Sequence, residues 1–121
     1  MNVALWIASG LLAAMFLMAG LGKALRPVAA LQEQMRWVTP ERLAAVRVLA
    51  WLEVLGAVGV IVPWATGVAP VLTPIAAVGL AVTQVGAIPL HLRLGEGKSV
   101  PVNVVLLALA VFVAVGRFAA L

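Results

Sequence analysis

Apolar residues fill four long stretches of the chain, and the short segments between them carry most of the charges. The stretches span residues 2–22, 43–62, 71–92 and 100–117. A helix of about 20 apolar residues, rising roughly 1.5 Å per residue, crosses a hydrocarbon layer of about 30 Å. The pattern therefore predicts an all-α membrane protein, a single domain over residues 1–121 built as a bundle of four transmembrane helices.

The three links between these stretches differ in polarity. Residues 28–42, VAALQEQMRWVTPER, form the longest polar segment, and its apolar residues recur at helical spacing. We predict a short amphipathic helix there, lying on the membrane surface. The second link, PWATGVAPVLTP over residues 63–74, has no charge and several prolines, which predicts a turn. The third link, HLRLGEGKS over residues 91–99, is polar again.

Composition excludes several classes of protein. A hydrophobic content of 65% and a mean hydropathy of +1.21 exclude a soluble domain. The net charge of +4 does not indicate nucleic-acid binding, because the cations lie beside apolar spans and form no basic stripe. The absence of cysteine excludes thiolate metal sites and disulfides. With one histidine and no carboxylate cluster, the sequence offers no metal site and no bis-histidine haem.

The cations predict the orientation in the membrane. Seven of the eight lysines and arginines lie in or beside the first and third links: Lys23, Arg26, Arg36, Arg42, Arg47, Arg93 and Lys98. Arg117 alone lies on the other side. The positive-inside rule then places both termini outside the cytoplasm, and Trp6, Trp37 and Trp64 are expected in aromatic belts. Six arginines against two lysines, with much alanine, valine and glycine, indicate a GC-rich bacterial genome and hence the bacterial inner membrane.

Polar side chains within the spans identify a candidate site. Glu53 lies about ten residues, roughly 15 Å, into its span, where an acidic residue costs about 2.5 to 3.5 kcal/mol. Gln84 lies about 12 Å from the cytoplasmic end of its span, Asn103 about one turn into the last span, and Lys23 and His91 at the cytoplasmic edge. We expect these five residues to line a ligand-binding pocket in the cytoplasmic half, whereas the outer half has hardly any polar residues.

Each of these residues also has a purely structural interpretation. Glu53 in its neutral form can join two helices, and Gln84 can supply hydrogen bonds between helices. Lys23 can extend its ammonium group to the lipid head groups, and Asn103 can bond local backbone. A histidine such as His91 is tolerated at the membrane interface. Functional and structural roles therefore both remain open for all five.

Three segments carry a resemblance to a known family: FLMAGLGKAL at residues 16–25, WLEVLGAVGV at 51–60 and HLRLGE at 91–96. In these segments the chain resembles the DoxX family, specifically its short DoxX-like branch of bacterial four-helix membrane proteins. The resemblance implies Lys23, Glu53 and His91 as recurrent polar positions. It also implies a link to redox chemistry, because some relatives are associated with quinone-coupled sulfur oxidation or with oxidoreductase complexes that handle oxidative stress.

Three functions follow as hypotheses, and none assigns a catalytic residue. The first is a membrane subunit that binds a quinone or lipid-like molecule in the cytoplasm-facing pocket, with proton exchange through Glu53 and His91 and with oxidoreductase partners. The second is a proton-coupled transporter, since small multidrug-resistance exporters have a similar length and one membrane acid, although there the acid lies in the first helix. The third is a scaffold in which Glu53 fixes helix register. The uncharged outer faces also leave homo-oligomers open.

Overall fold

The computed structural model describes residues 2–25, 29, 42–93, 95 and 97–121, without the side chains of His91 and Ser99. In this part of the chain the elements are α1 (Asn2–Leu25), α2 (Leu43–Gly59), α3 (Val62–Thr66), α4 (Leu72–Arg93), a 3-10 turn (Gly97–Ser99) and α5 (Val100–Ala119). Four helical segments within it are long and apolar enough to cross a membrane, which confirms the predicted fold class. The predicted amphipathic segment lies outside the described residues, apart from positions 29 and 42.

The helices pack as two hairpins side by side. The most extensive contacts join α1 to α2 and α4 to α5, while α1 also packs on α5 and α2 on α4. Leu12, Phe16, Leu80 and Val113 are among the apolar side chains buried where the helices meet. Large apolar side chains also cover the outer faces of the helices. Such a surface requires a lipid environment, so the chain is a multi-pass membrane protein.

Glycines allow the helices to approach closely at two contacts. A Cβ atom added to Gly20 of α1 would lie 2.9 Å from the carbonyl oxygen of Ala50 in α2. One added to Gly56 of α2 would lie 2.6 Å from a methyl group of Leu80 in α4. Helix pairs in membranes use small residues in this way, because close backbone approach increases van der Waals contact.

The second span consists of two helices, α2 and α3, and is longer than predicted. Helical structure continues through Pro63 to Thr66, and Gly67, with a φ of 72°, ends it in a left-handed conformation. Pro63 has no N–H group to donate to the carbonyl of Gly59 one turn earlier. The hydroxyl of Thr73 in α4 donates to that carbonyl instead, at 3.0 Å. The carbonyl of Gly59, left without a backbone partner at the break between α2 and α3, thus gains a hydrogen bond from α4.

Candidate functional site

An ion pair joins α1 to α2. The Lys23 ammonium Nζ lies 3.0 Å from Oε1 of Glu53, and the two side chains are 22% and 5% exposed. Glu53 is buried in the bundle. A carboxylate that leaves water needs a partner of opposite charge, and Lys23 supplies it while part of its side chain remains accessible.

Lys23 and Glu53 meet because the first turn of α2 extends past the C-terminal end of α1. α1 runs to Leu25, past the predicted end at residue 22, so Lys23 lies in its last turn. Arg47 of α2 donates a hydrogen bond to the carbonyl of Ala24, one of the carbonyls that a helix end leaves without a partner. Glu53 lies six residues beyond Arg47, about 9 Å above the end of α1. Because α2 begins at Leu43, as predicted, Glu53 lies ten residues, about 15 Å, from the start of its own helix.

A second polar pair joins α4 to α5. Nδ2 of Asn103 donates to Oε1 of Gln84 at 2.6 Å, and both side chains are buried. Nε2 of Gln84 donates a longer bond of 3.4 Å to the hydroxyl of Thr83, which itself donates to the carbonyl of Leu80 at 2.7 Å. Asn103 thus bonds a side chain across the helix interface, and the orientation of the Gln84 amide is fixed by these partners.

The two pairs lie at a similar level of the bundle. α2 and α4 run antiparallel and touch where Gly56 meets Leu80. Glu53 precedes Gly56 by one turn and Gln84 follows Leu80 by one turn, so both lie on the side of this contact that faces the first and third links. His91 belongs to the last turns of α4, but its side chain lies outside the described part of the structure.

A groove of about 610 Å³ runs between the second span and α4. Its walls are leucine, isoleucine, valine, alanine, proline and glycine, apart from Thr83 at one end. Leu55 and Ile75, which line it, are exposed on the outer surface, so the groove opens toward the bilayer. The groove ends at Leu52 of the second span and Thr83 of α4, the sequence neighbours of Glu53 and Gln84, but neither of those two polar residues lines it. The volume lies in the range of about 300 to 1,000 Å³ that is usual for small-molecule sites.

The opposite end of the bundle holds a polar cluster that the sequence analysis missed. Arg117 is only 1% exposed, and its Nη1 donates to Oδ1 of Asn2 at 2.9 Å. The guanidinium carbon lies 5.0 Å from the ring centre of Trp6 and 4.4 Å from that of Trp64. Arg117 lies in the last turn of α5, at the span end where the sequence places it, but its burial was not predicted. The sequence holds a signal for this burial: Arg117 lies about four turns from Asn103 on the same face of α5, and that face is the buried one.

Comparison with known proteins places the chain in a family. No curated protein and no solved structure matches it. One family model, described as the DoxX-like family, matches residues 7–113, a segment that includes both polar pairs and His91. The match confirms the resemblance carried by the segments around Lys23, Glu53 and His91. Because it covers most of the sequence, the chain belongs to the DoxX-like family.

Proposed function

We propose that this DoxX-like chain is a small membrane subunit that binds a quinone or another lipid-like molecule. The observation that carries the proposal is the groove between the second span and α4, which is apolar along its length and ends at Thr83. From Thr83 a series of hydrogen bonds continues through Gln84 to Asn103. Such a groove suits a molecule with a long apolar tail and a polar head group.

Gln84 is the group that we expect to contact the head group. Asn103 holds the amide oxygen of Gln84, so the amide nitrogen points toward Thr83 and the end of the groove. Its bond to Thr83 is long, at 3.4 Å, and is readily exchanged for a better acceptor. A carbonyl or hydroxyl oxygen of a ligand would be such an acceptor, and the apolar walls would hold its tail.

The ion pair supplies charge at the level of the head group. Glu53 and Lys23 are the groups through which we propose that protons exchange with a bound quinone, and His91 extends the route toward the cytoplasmic side. Electrons would come from an oxidoreductase partner, a part of the proposal that rests on family resemblance alone. The same resemblance supports a location in the bacterial inner membrane and a role in redox homeostasis.

Transport and scaffolding stay as alternative functions. A proton-coupled transporter would load and release a proton at the same carboxylate of Glu53, so the contact with Lys23 at 3.0 Å does not separate transport from the proposed function. A scaffold needs both polar pairs but has no use for the groove. Ligand binding in the groove therefore separates the proposed function from the scaffold.

Two glycines of α4 provide a matched test. A Cβ added to Gly79 or to Gly86 meets nothing within 4 Å, but only Gly79 lines the groove. Gly79→Leu should fill the groove, and Gly86→Leu adds the same side chain to the same helix elsewhere. We expect mass spectrometry of lipids and quinones extracted from protein purified in mild detergent to find one enriched species in the wild type and in Gly86→Leu. Gly79→Leu should lack that species.

Gln84→Leu tests the head-group contact. We expect this variant to retain less of the same species than the wild type does. Circular dichroism should show that its fold is unchanged. Equal retention in Gly79→Leu and in the wild type would refute binding in this groove. A folded wild-type protein without any enriched species would favour scaffolding or transport. Proton-driven uptake into liposomes then separates those two.

A further inference from the structure

Arg117 brings a positive charge into the bundle at the end away from the two polar pairs, and part of its guanidinium has no partner in the described part of the chain. Among the described residues, none accepts a hydrogen bond from its Nε or its Nη2, although both atoms are buried. The hydroxyl of Ser9 in α1 is likewise buried without a described partner. Buried polar groups normally find partners, and an unpaired buried charge is especially costly.

The unpartnered atoms form one specific edge of the guanidinium. Nη1 already donates to Asn2, and two indole rings lie within 5.0 Å of the guanidinium carbon. The N–H groups of Nε and Nη2 point in parallel from the remaining edge. This is the edge that binds two oxygens of a carboxylate or phosphate at once.

Among the described residues, no glutamate lies beside Arg117. All four acidic residues are glutamates, and Glu53 is paired with Lys23. Glu33, Glu41 and Glu96 belong in sequence to the two links that join the helices at the other end of the bundle. No side-chain carboxylate of the described residues is available to the unpaired edge, and an oxyanion is the kind of partner that fits it.

We propose that Arg117 binds an oxyanion, the phosphate of a lipid head group or a free phosphate ion. The site lies at the end of α5 beside Trp6 and Trp64, and tryptophans mark the depth at which head groups lie. Asn2 is exposed and the two indoles are only partly buried, so the site is at the rim of the bundle. It is independent of the groove. Asn2, Trp6 and Arg117 also lie outside the segment that the family model matches.

The test compares three additives and two lysine variants of the protein in non-ionic detergent. The additives are phosphatidylglycerol, diacylglycerol with the same acyl chains, and inorganic phosphate. Arg117→Lys keeps the charge but removes the pair of parallel N–H groups that can bind an oxyanion in a bidentate manner. Arg93→Lys makes the same change at an exposed position on α4. Thermal unfolding gives the stabilisation by each additive, and native mass spectrometry counts bound lipid.

We expect phosphatidylglycerol, but not diacylglycerol, to raise the Tm of the wild type and of Arg93→Lys. Binding to Arg117→Lys should be about tenfold weaker, because one charge-assisted hydrogen bond is lost. If inorganic phosphate alone reproduces the rise, the source is a free anion; if only the lipid does, the source is a head group. Equal lipid binding by Arg117→Lys and the wild type would overturn the proposal. So would a wild-type Tm that neither anion raises, a result that does not depend on the variant folding.

Discussion

Removing Lys23 should destabilise the bundle more than removing the charge of Glu53. In Lys23→Met the carboxylate of Glu53, 5% exposed, loses its charged partner and has little access to water. In Glu53→Gln the remaining lysine, 22% exposed, can extend its ammonium group toward the surface. Because Glu53 is less exposed than Lys23, Lys23→Met should lower the free energy of unfolding more than Glu53→Gln does.

The structure sets the size of both effects. Deleting one partner of a fully buried ion pair costs about 3 to 5 kcal/mol. Because Lys23 is partly exposed, we expect about 2 to 3 kcal/mol for Lys23→Met and about 1 kcal/mol for Glu53→Gln. The double variant removes both charges and should cost only about 1 to 2 kcal/mol, which gives a coupling energy of about 2 kcal/mol.

The measurement is a double-mutant cycle in mixed detergent micelles, with unfolding followed by far-ultraviolet circular dichroism. Lys98→Met, at an exposed lysine in the 3-10 turn, is the control and should change stability by less than about 0.5 kcal/mol. Additive effects of the two single substitutions would show that the contact between Lys23 and Glu53 contributes no coupling. That result would refute the reasoning from burial.

Three further predictions concern packing, the helix break and orientation. Gly20→Ala should cost about 1 to 3 kcal/mol in thermal unfolding because its Cβ would meet backbone, whereas Gly10→Ala, with open space around it, should be neutral or stabilising. Thr73→Val should cost about 1 kcal/mol by the same measurement, and the exposed control Thr66→Val less than half of that; equal losses would contradict the role of the Thr73 hydroxyl. A cysteine at Val68, 72% exposed in a chain without cysteines, should react with an impermeant maleimide in intact cells. Labelling only after the cells are permeabilised would show that this link faces the cytoplasm, opposite to the predicted orientation.

The four spans could be predicted because a backbone in lipid must satisfy its own hydrogen bonds, so apolar runs of membrane length become helices. The inward orientation of Glu53 was equally accessible, since Ala50, Gly56 and Ala57 share its face and small residues mark helix contacts. These signals are local: each depends on residues within one or two turns of the same helix.

The partners of the polar residues could not be predicted, because they depend on how far one helix slides past another. The sequence predicts Lys23 at the cytoplasmic edge of its span, but its contact with Glu53 depends on the offset between α1 and α2, which the bond from Arg47 to Ala24 marks. The sequence also predicts Arg117 as a cation at the end of its span, but not that it is buried. Its burial requires Trp6 and Trp64, which are distant in sequence, to meet at one end of the bundle.

The division of polar pairs between the hairpins has a consequence for membrane insertion. Lys23 and Glu53 belong to the α1–α2 hairpin, and Gln84 and Asn103 to the α4–α5 hairpin. The α1–α2 hairpin can therefore leave the insertion machinery with Lys23 and Glu53 already paired, before the second half of the chain has been synthesised. The α4–α5 hairpin can likewise form its amide pair without the first half. Docking of the two hairpins then joins largely apolar and glycine-rich surfaces, and it also brings Arg117 of α5 to Asn2 and to the two indole rings of the first hairpin.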